Sequence, residues 1–358
     1  MGNFCTHDKL VAIQESEKTG HHIYYKVPEF LLNANLSLEP ESDMWTLCTK
    51  HAQHIRKSYN YVRLFYSGGC DSHYMLRVFV ENNIHIDEIV MHNCGIPAAD
   101  YEVNDIAVPY VMSVARSLPD TKLKVLSRTM IDYYDFYDSP YWFEKYINIG
   151  RCKDVVYIRL NNWLESINLY QTSGKTANVH GEGKPLLVFV ENQWYTYFLD
   201  CEEYQYGADK NDYVCFFNDD VDVYSKQCHL LKKAILHKSK TDFNNVKKQP
   251  GWEKLLNESI QRVEVDQYYI PHVKNPAHKL YTCINSRELI AKKYLDEKHP
   301  NVYKTYKQGI NELKDISNKW WNNNNPELGS IGCLSNFICL DQHATKSVDE
   351  LFPNGFNL

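Results

Sequence analysis

Short apolar runs alternate with helically spaced stretches from residue 61 to about residue 180. Val62 to Tyr66 is a run of β-branched and aromatic residues and predicts a buried strand. Ser67, Gly68 and Gly69 follow as a small-residue turn. Asp71 and Ser72 then suit a helix start, where their side chains can cap free N–H groups. The helix is predicted through Tyr74, Met75, Leu76, Val78, Phe79 and Val80, apolar on most sides and therefore buried. Ile86 to His92 predicts a second strand, Leu123 to Leu126 a third and Asn178 to His180 a fourth. Helical spacing marks Val103 to Val114, where Pro109 implies a late start or a kink, and also Ile131 to Tyr137 and Asp154 to Ile167. Strands and helices in alternation predict an α/β fold with a doubly wound parallel sheet.

The flanks read differently. Residues 1–40 form an extension with a candidate strand at Ile23 to Val27. A helix from Met44 to about Lys57 follows, capped by Ser42 or Asp43, with Trp45, Cys48, Ala52 and Ile55 on its apolar side. His51 and His54, one turn apart there, read as solvated helix residues. Beyond residue 185, Leu186 to Glu191 and Trp194 to Leu199 predict a hairpin about Asn192-Gln193. Tyr213 to Phe217 predicts one more strand, followed by a helix from Tyr224 to His237. Residues 241–276 resist assignment. Helices are predicted from Ser286 to Glu297 and from Val302 to Trp321, and the tail to Leu358 has little periodicity.

A strand, a glycine turn and a helix N-terminus together make an anion site, because backbone N–H groups and the helix dipole point at whatever occupies the turn. Ligands of such sheets bind beyond the carboxyl ends of the strands. Ser67, His92, Ser127 and Gly181 all lie at such ends. The Ser67–Gly69 turn and the turn Gly181-Glu182-Gly183-Lys184-Pro185 are therefore expected to face one crevice.

Ser67-Gly68-Gly69-Cys70-Asp71-Ser72 resembles the SGGxDS signature of the PP-loop ATP pyrophosphatases. That superfamily includes asparagine and GMP synthetase domains, tRNA-modifying enzymes and phosphoadenosine phosphosulfate reductases. It differs from a Walker A loop, since no Gly-Lys-Ser/Thr closes the turn. The resemblance implies a HUP-like sheet with an N-terminal extension (1–58), a nucleotide-binding domain (59–240) and a mixed, mainly helical C-terminal region (241–358). It also implies ATP with Mg2+. Ser67, Gly68, Gly69, Cys70, Asp71 and Ser72 would form the phosphate loop, and Met91, His92 or Asn93 would meet the adenine. Gly181, Gly183 and Lys184 would complete the site, with Lys184 supplying the cation that the loop lacks. Asp71 and Glu182 are hard oxygen ligands suited to magnesium.

In asparagine synthetase domains the second turn carries a later acidic pair, which is absent here. The chain looks closer to phage-encoded proteins labelled phosphoadenosine phosphosulfate reductase-like. The shared features are a strand-G-x-x-KP segment, the Trp194 to Asp200 hairpin and the segment carrying Gln227, His229 and Lys232. The activity implied is adenylation: ATP gives AMP and pyrophosphate while a carbonyl or carboxylate of a second substrate is activated, as in AMP-forming ligases. A nucleobase, a tRNA and an amino acid all stand open as that substrate. Two other functions stay open. One is a nucleotide-binding sensor or assembly protein without turnover. The other is a sulfonucleotide reductase, for which Cys333, Cys339 and His343 are the nearest thiol segment.

Composition narrows the partners. The 358 residues carry a net charge of −6, so general polyanion binding is not suggested. Lys226, Lys232, Lys233, Lys238, Lys240, Lys247 and Lys248 nevertheless crowd one region, either as a solvated helix face or as a site for a phosphate-bearing second substrate. The 11 cysteines include no CxxC pair, which suits buried thiols in a reducing cytoplasm, the host's if the protein is phage-encoded. No apolar run reaches the roughly 18 residues of a membrane span, so no membrane partner is expected.

Overall fold

The computed structural model describes Phe4, residues 9–21, Ile23, Val27, residues 29–142, Val155 and residues 174–181, 185–198, 211–239, 284–320 and 335–352. Five strands form one all-parallel sheet: β1 (Tyr61–Phe65), β2 (Glu88–Asn93), β3 (Lys122–Ser127), β4 (Thr176–His180) and β7 (Asn211–Cys215). Their order is β3-β2-β1-β4-β7. The chain thus winds outward from β1 in one direction and then restarts at β4 on its other side. This is an open, doubly wound α/β sheet, and its topological switch point lies between β1 and β4.

One face of the sheet is apolar. Val62, Leu64, Tyr66, Ile89, Met91, Ala177 and Val179 pack there against α3 (Met44–Ser58), α4 (Cys70–Glu81) and α5 (Val108–Val114). Asp43 caps α3 by accepting from the Thr46 N–H at 2.8 Å. Pro109 has the effect its ring dictates. It cannot donate to the carbonyl one turn back, so a π-helical turn over Glu102–Ala107 precedes it and the α-helix restarts with Pro109 in its first turn.

The other face is polar at its centre. The strand register sets Lys122, Glu88, Arg63, Asn178 and Tyr213 in one row across all five strands. Arg63 Nε donates to Glu88 Oε2 at 2.5 Å and Arg63 Nη1 to Asn178 Oδ1 at 2.9 Å. Lys124 Nζ meets Glu88 Oε1 at 2.6 Å. Burial pushes the Glu88 carboxyl up, but the bonds from Lys124 and Arg63 outweigh it and hold the group below the usual range.

His51 departs from its solvated reading. It is buried on α3 beside Phe216, with Nδ1 3.6 Å from Asp220 Oδ2. Burial lowers its pKa from 6.5 to about 4, and the Asp220 charge opposes that only in part. The unfolded chain therefore binds this proton first. Stability should be complete above pH 6.5 and fall as the pH drops toward 4, by roughly 3 kcal/mol from this group. Urea titrations across that range should show the slope, and His51→Gln should flatten it.

A second, antiparallel sheet has the order β5-β6-β8-β9, with β5 (Leu186–Val190), β6 (Gln193–Tyr197), β8 (Phe337–Cys339) and β9 (Thr345–Lys346). The hairpin turn is Glu191-Asn192, one residue earlier than the pattern predicts. Both turn residues have positive φ (49° and 63°), as a two-residue turn matching the strand twist requires. This sheet packs on Val27, Leu31 and Leu36 of the extension and on α7 (Val221–Ser239). The basic residues of α7 are engaged there. Lys226 donates to Glu39 Oε1 (2.9 Å) and Lys233 to Glu39 Oε2 (2.5 Å), while Lys232 pairs with Asp341. Gln227 donates to the Phe217 carbonyl, and His229 Nε2 lies 2.9 Å from the Leu36 carbonyl. Lys226, Lys233 and His229 thus fasten the extension to α7, Lys232 fastens the second sheet to it, and Gln227 ties it to the end of β7. Lys238 lies on α7, and Lys240, Lys247 and Lys248 fall outside the described residues.

The predicted strand at Ile23 to Val27 and the helix at Asp154 to Ile167 also lie largely or wholly outside the described residues. The C-terminal helices α8 (Ile284–Lys298) and α9 (Pro300–Trp320) place Ala291, Leu295, Val302 and Tyr306 against Cys94, Ile96, Tyr133, Tyr137 and Trp142. They therefore sit on the loops that leave β2 and β3.

Candidate functional site

The site begins where β1 ends. Tyr66 still donates its N–H to the Val90 carbonyl, and the chain then turns away through Ser67, Gly68 and Gly69 into α4. Gly68 has φ +83°, a left-handed conformation suited to glycine. Gly69 is the N-cap of α4 and has no side chain to bond the first turn, so that turn faces the loop uncapped by a side chain. The loop is held by its own hydroxyls. Ser67 Oγ lies 3.1 Å from Ser72 Oγ and accepts from the Gly69 N–H at 3.3 Å. Ser72 Oγ accepts from the Ser67 N–H (3.3 Å) and donates to the Gly69 carbonyl (3.2 Å). Ser72 is buried, Ser67 exposed and Asp71 half-buried in the first turn of α4. Cys70 opens α4 and contributes its backbone. The arrangement is a concave nest of backbone N–H groups at the positive end of a 12-residue helix, suited to a polyphosphate.

Gly181 reaches this nest from β4. A Cβ at Gly181 would lie 2.7 Å from both Ser72 Cα and Ser72 N, and 3.0 Å from the Asp71 carbonyl carbon. Those are backbone atoms that cannot step aside. The turn after β4 therefore touches the first turn of α4 directly, at the switch point of the sheet. His180, one residue earlier, is clamped between two rings. It stacks on Phe65 at 4.2 Å and on Tyr213 at 4.1 Å, which ties the ends of β1 and β4 to the middle of β7. Glu182, Gly183 and Lys184 lie outside the described residues.

No protein-family model matches the chain, and no curated protein matches it. Among solved structures the chain is similar to the U34-tRNA thiolase NcsA from Methanococcus maripaludis with its [4Fe-4S] cluster. The identity is 15% and the TM-score 0.26, over 75% of this chain and 79% of that one.

The predicted adenine contacts lie at an overhang. The β1–β2 register stops at Phe65↔Val90, whereas β2 pairs β3 as far as Asn93↔Ser127. Met91, His92 and Asn93 thus extend past the end of β1, beside the nest. Met91 is buried on the apolar face, and His92 is half-buried on the polar one. Asn93 Nδ2 donates to Asn104 Oδ1 of the π-helical turn at 3.1 Å and reaches Ser127 Oγ at 3.4 Å.

Asp219 accepts from the Cys215 N–H and Asp220 from the Val223 N–H, so these two carboxylates make a turn and a helix cap. Cys339 is buried on β8, and its Sγ accepts from the Asp341 N–H at 3.4 Å. Among the described residues no three His, Cys, Asp or Glu side chains gather to hold a metal, and none of the helices is long and apolar enough to cross a membrane.

Sequence reasoning passed over Tyr66 and His73. They flank the loop on either side and meet beneath it, Tyr66 Oη to His73 Nδ1, at 3.0 Å. The available signal was a polar-tipped aromatic directly before the loop and a histidine directly after it, both in apolar stretches.

Proposed function

We propose that this chain is an ATP-dependent adenylating enzyme of the PP-loop pyrophosphatase type. The observation that supports it most is the contact of Gly181 with Ser72. It joins the two glycine turns at the switch point of the sheet, where open α/β sheets bind ligands.

In this reading the pyrophosphate part of ATP lies in the nest. Ser67, Gly68, Gly69, Cys70 and Ser72 donate to its oxygens, through side-chain hydroxyls or backbone N–H groups. The adenine lies along the overhang of Met91, His92 and Asn93. Lys184, with Gly181 and Gly183 allowing close approach, neutralises charge. Magnesium needs only one or two protein carboxylates beside the phosphates, and Asp71, half-buried in the first turn of α4, fits that need. Glu182 is the second carboxylate proposed. The ion would supply charge neutralisation on the phosphate oxygens. A carbonyl or carboxylate oxygen of the second substrate attacks the α-phosphorus. The bond to the α–β bridging oxygen breaks, and its electron pair leaves with pyrophosphate. A nucleophile then displaces AMP from the activated carbon. The protein's contribution is positioning and electrostatic stabilisation. A nucleobase, a tRNA or an amino acid fits the chemistry of the acceptor.

Pyrophosphate exchange tests this reading. With magnesium, ATP and labelled pyrophosphate, label should enter ATP when bulk tRNA or a mixture of amino acids is supplied. Asp71→Ala should lower that exchange by about a hundredfold. Exchange that persists in Asp71→Ala would overturn the role given to Asp71, and conversion of ATP to ADP and phosphate would overturn the reaction itself.

A further inference from the structure

We infer that Tyr66 and His73 are positioning residues that hold the phosphate nest in shape, so that their hydrogen bond sets nucleotide affinity. This rests on the nucleotide reading of the loop.

The geometry carries the inference. Tyr66 is the last residue tied to the sheet, through its N–H to the Val90 carbonyl. His73 is the first residue after the SGGxDS segment, and its N–H donates to the Gly69 carbonyl at 2.6 Å. The 3.0 Å contact between Tyr66 Oη and His73 Nδ1 closes a ring around the six loop residues. Both side chains are buried. Tyr110 of α5 completes a three-ring group, 4.3 Å from His73 and 6.1 Å from Tyr66, so β1, α4 and α5 meet beneath the loop.

The surroundings do not call for polar groups. Tyr66 belongs to the large apolar cluster between the sheet and α3, α4 and α5, and the ring of Tyr110 lies against both side chains. Burying a hydroxyl and an imidazole there is unfavourable unless they pair, and two apolar side chains would fill the space as well. What the pair adds is direction. A hydrogen bond fixes the end of the strand against the start of the helix, where apolar contact would let the two slide. Burial raises the phenol pKa far above its ordinary range, so Tyr66 stays neutral, and its hydroxyl donates to Nδ1 or accepts from it according to the tautomer of His73.

The test is a double-mutant cycle read on Mg·ATP affinity in the full chain, with thermal unfolding as a second readout. Tyr66→Phe and His73→Leu should each weaken Mg·ATP binding by about tenfold. The double variant should bind no worse than either single one, because both remove the same bond. Tyr66→Phe conserves the volume but leaves His73 Nδ1 buried and unpaired, so it should also lower the unfolding temperature, and affinity is compared at a temperature where each variant is folded. His73→Gln, which keeps an acceptor, should recover most of the affinity. Variants that bind as tightly as the unchanged protein, or losses in the two singles that multiply in the double, would overturn the inference. An unchanged protein that binds no ATP would instead remove the nucleotide reading, a different result from variants that bind normally.

Discussion

Gly181→Ala should weaken nucleotide binding by about a hundredfold without unfolding the protein. The added methyl would sit 2.7 Å from Ser72 Cα and N, closer than real Cβ contacts allow, and its neighbours are backbone. Either the turn after β4 withdraws or the first turn of α4 shifts. Each movement displaces the donors that line the nest. Misplacement of a positioned group by about 1 Å can cost two orders of magnitude in rate, and a loss of about a hundredfold in ATP affinity is expected here. Gly309→Ala provides the comparison. Its methyl would lie 2.1 Å from Trp142 Nε1, where α9 packs on the loop after α6 (Met130–Phe136), so it should lower stability while leaving far more of the ATP affinity. Calorimetric titration with Mg·ATP, beside thermal unfolding, separates the two. Equal loss of affinity in both variants would mean that Gly181 acts through overall stability.

The second large effect is expected at the polar face of the sheet. Arg63→Met should destabilise the protein by about 3–5 kcal/mol, the usual cost of removing one partner of a buried ion pair. Arg63 and Glu88 are both buried, and removing the guanidinium takes from Glu88 its buried cationic partner and from Asn178 Oδ1 its donor. Replacing both, as Arg63→Met with Glu88→Leu, should cost much less than the sum of the singles, because no unpaired charge remains buried. Urea unfolding of the two singles and the double measures this directly. Additive losses would show that the row across the sheet contributes as separate residues.

Local signals read the centre of this fold well, and remote partners explain what they missed. The strand, turn and helix from Val62 to Val80 are contiguous, so periodicity and turn chemistry suffice. The strand ends were placed closely enough to put Ser67, His92, Ser127 and Gly181 at the same edge of the sheet. Arg63 was passed over because one charged residue among four apolar and aromatic ones barely alters a hydropathy pattern. Its partners, Glu88 and Asn178, lie 25 and 115 positions away in sequence. The short strand β8 has only three residues and owes its conformation to β6, far earlier in the chain. The lysines of α7 looked free for the same reason, since Glu39 and Asp341 come from opposite ends of the chain. His51 looked solvated because His54, Arg56 and Lys57 surround it in sequence, yet its own face of α3 turns toward Phe216.

The fate of the α-phosphate reports directly on the reaction. The protein is incubated with magnesium and ATP labelled at the α position, with and without a cell extract as the source of acceptor, and the nucleotides are separated. Labelled AMP with release of pyrophosphate is expected, increased by the extract and lost in Asp71→Ala. Labelled ADP, or ATP left both unbound and unchanged, would contradict an adenylating site at the joined turns of β1 and β4.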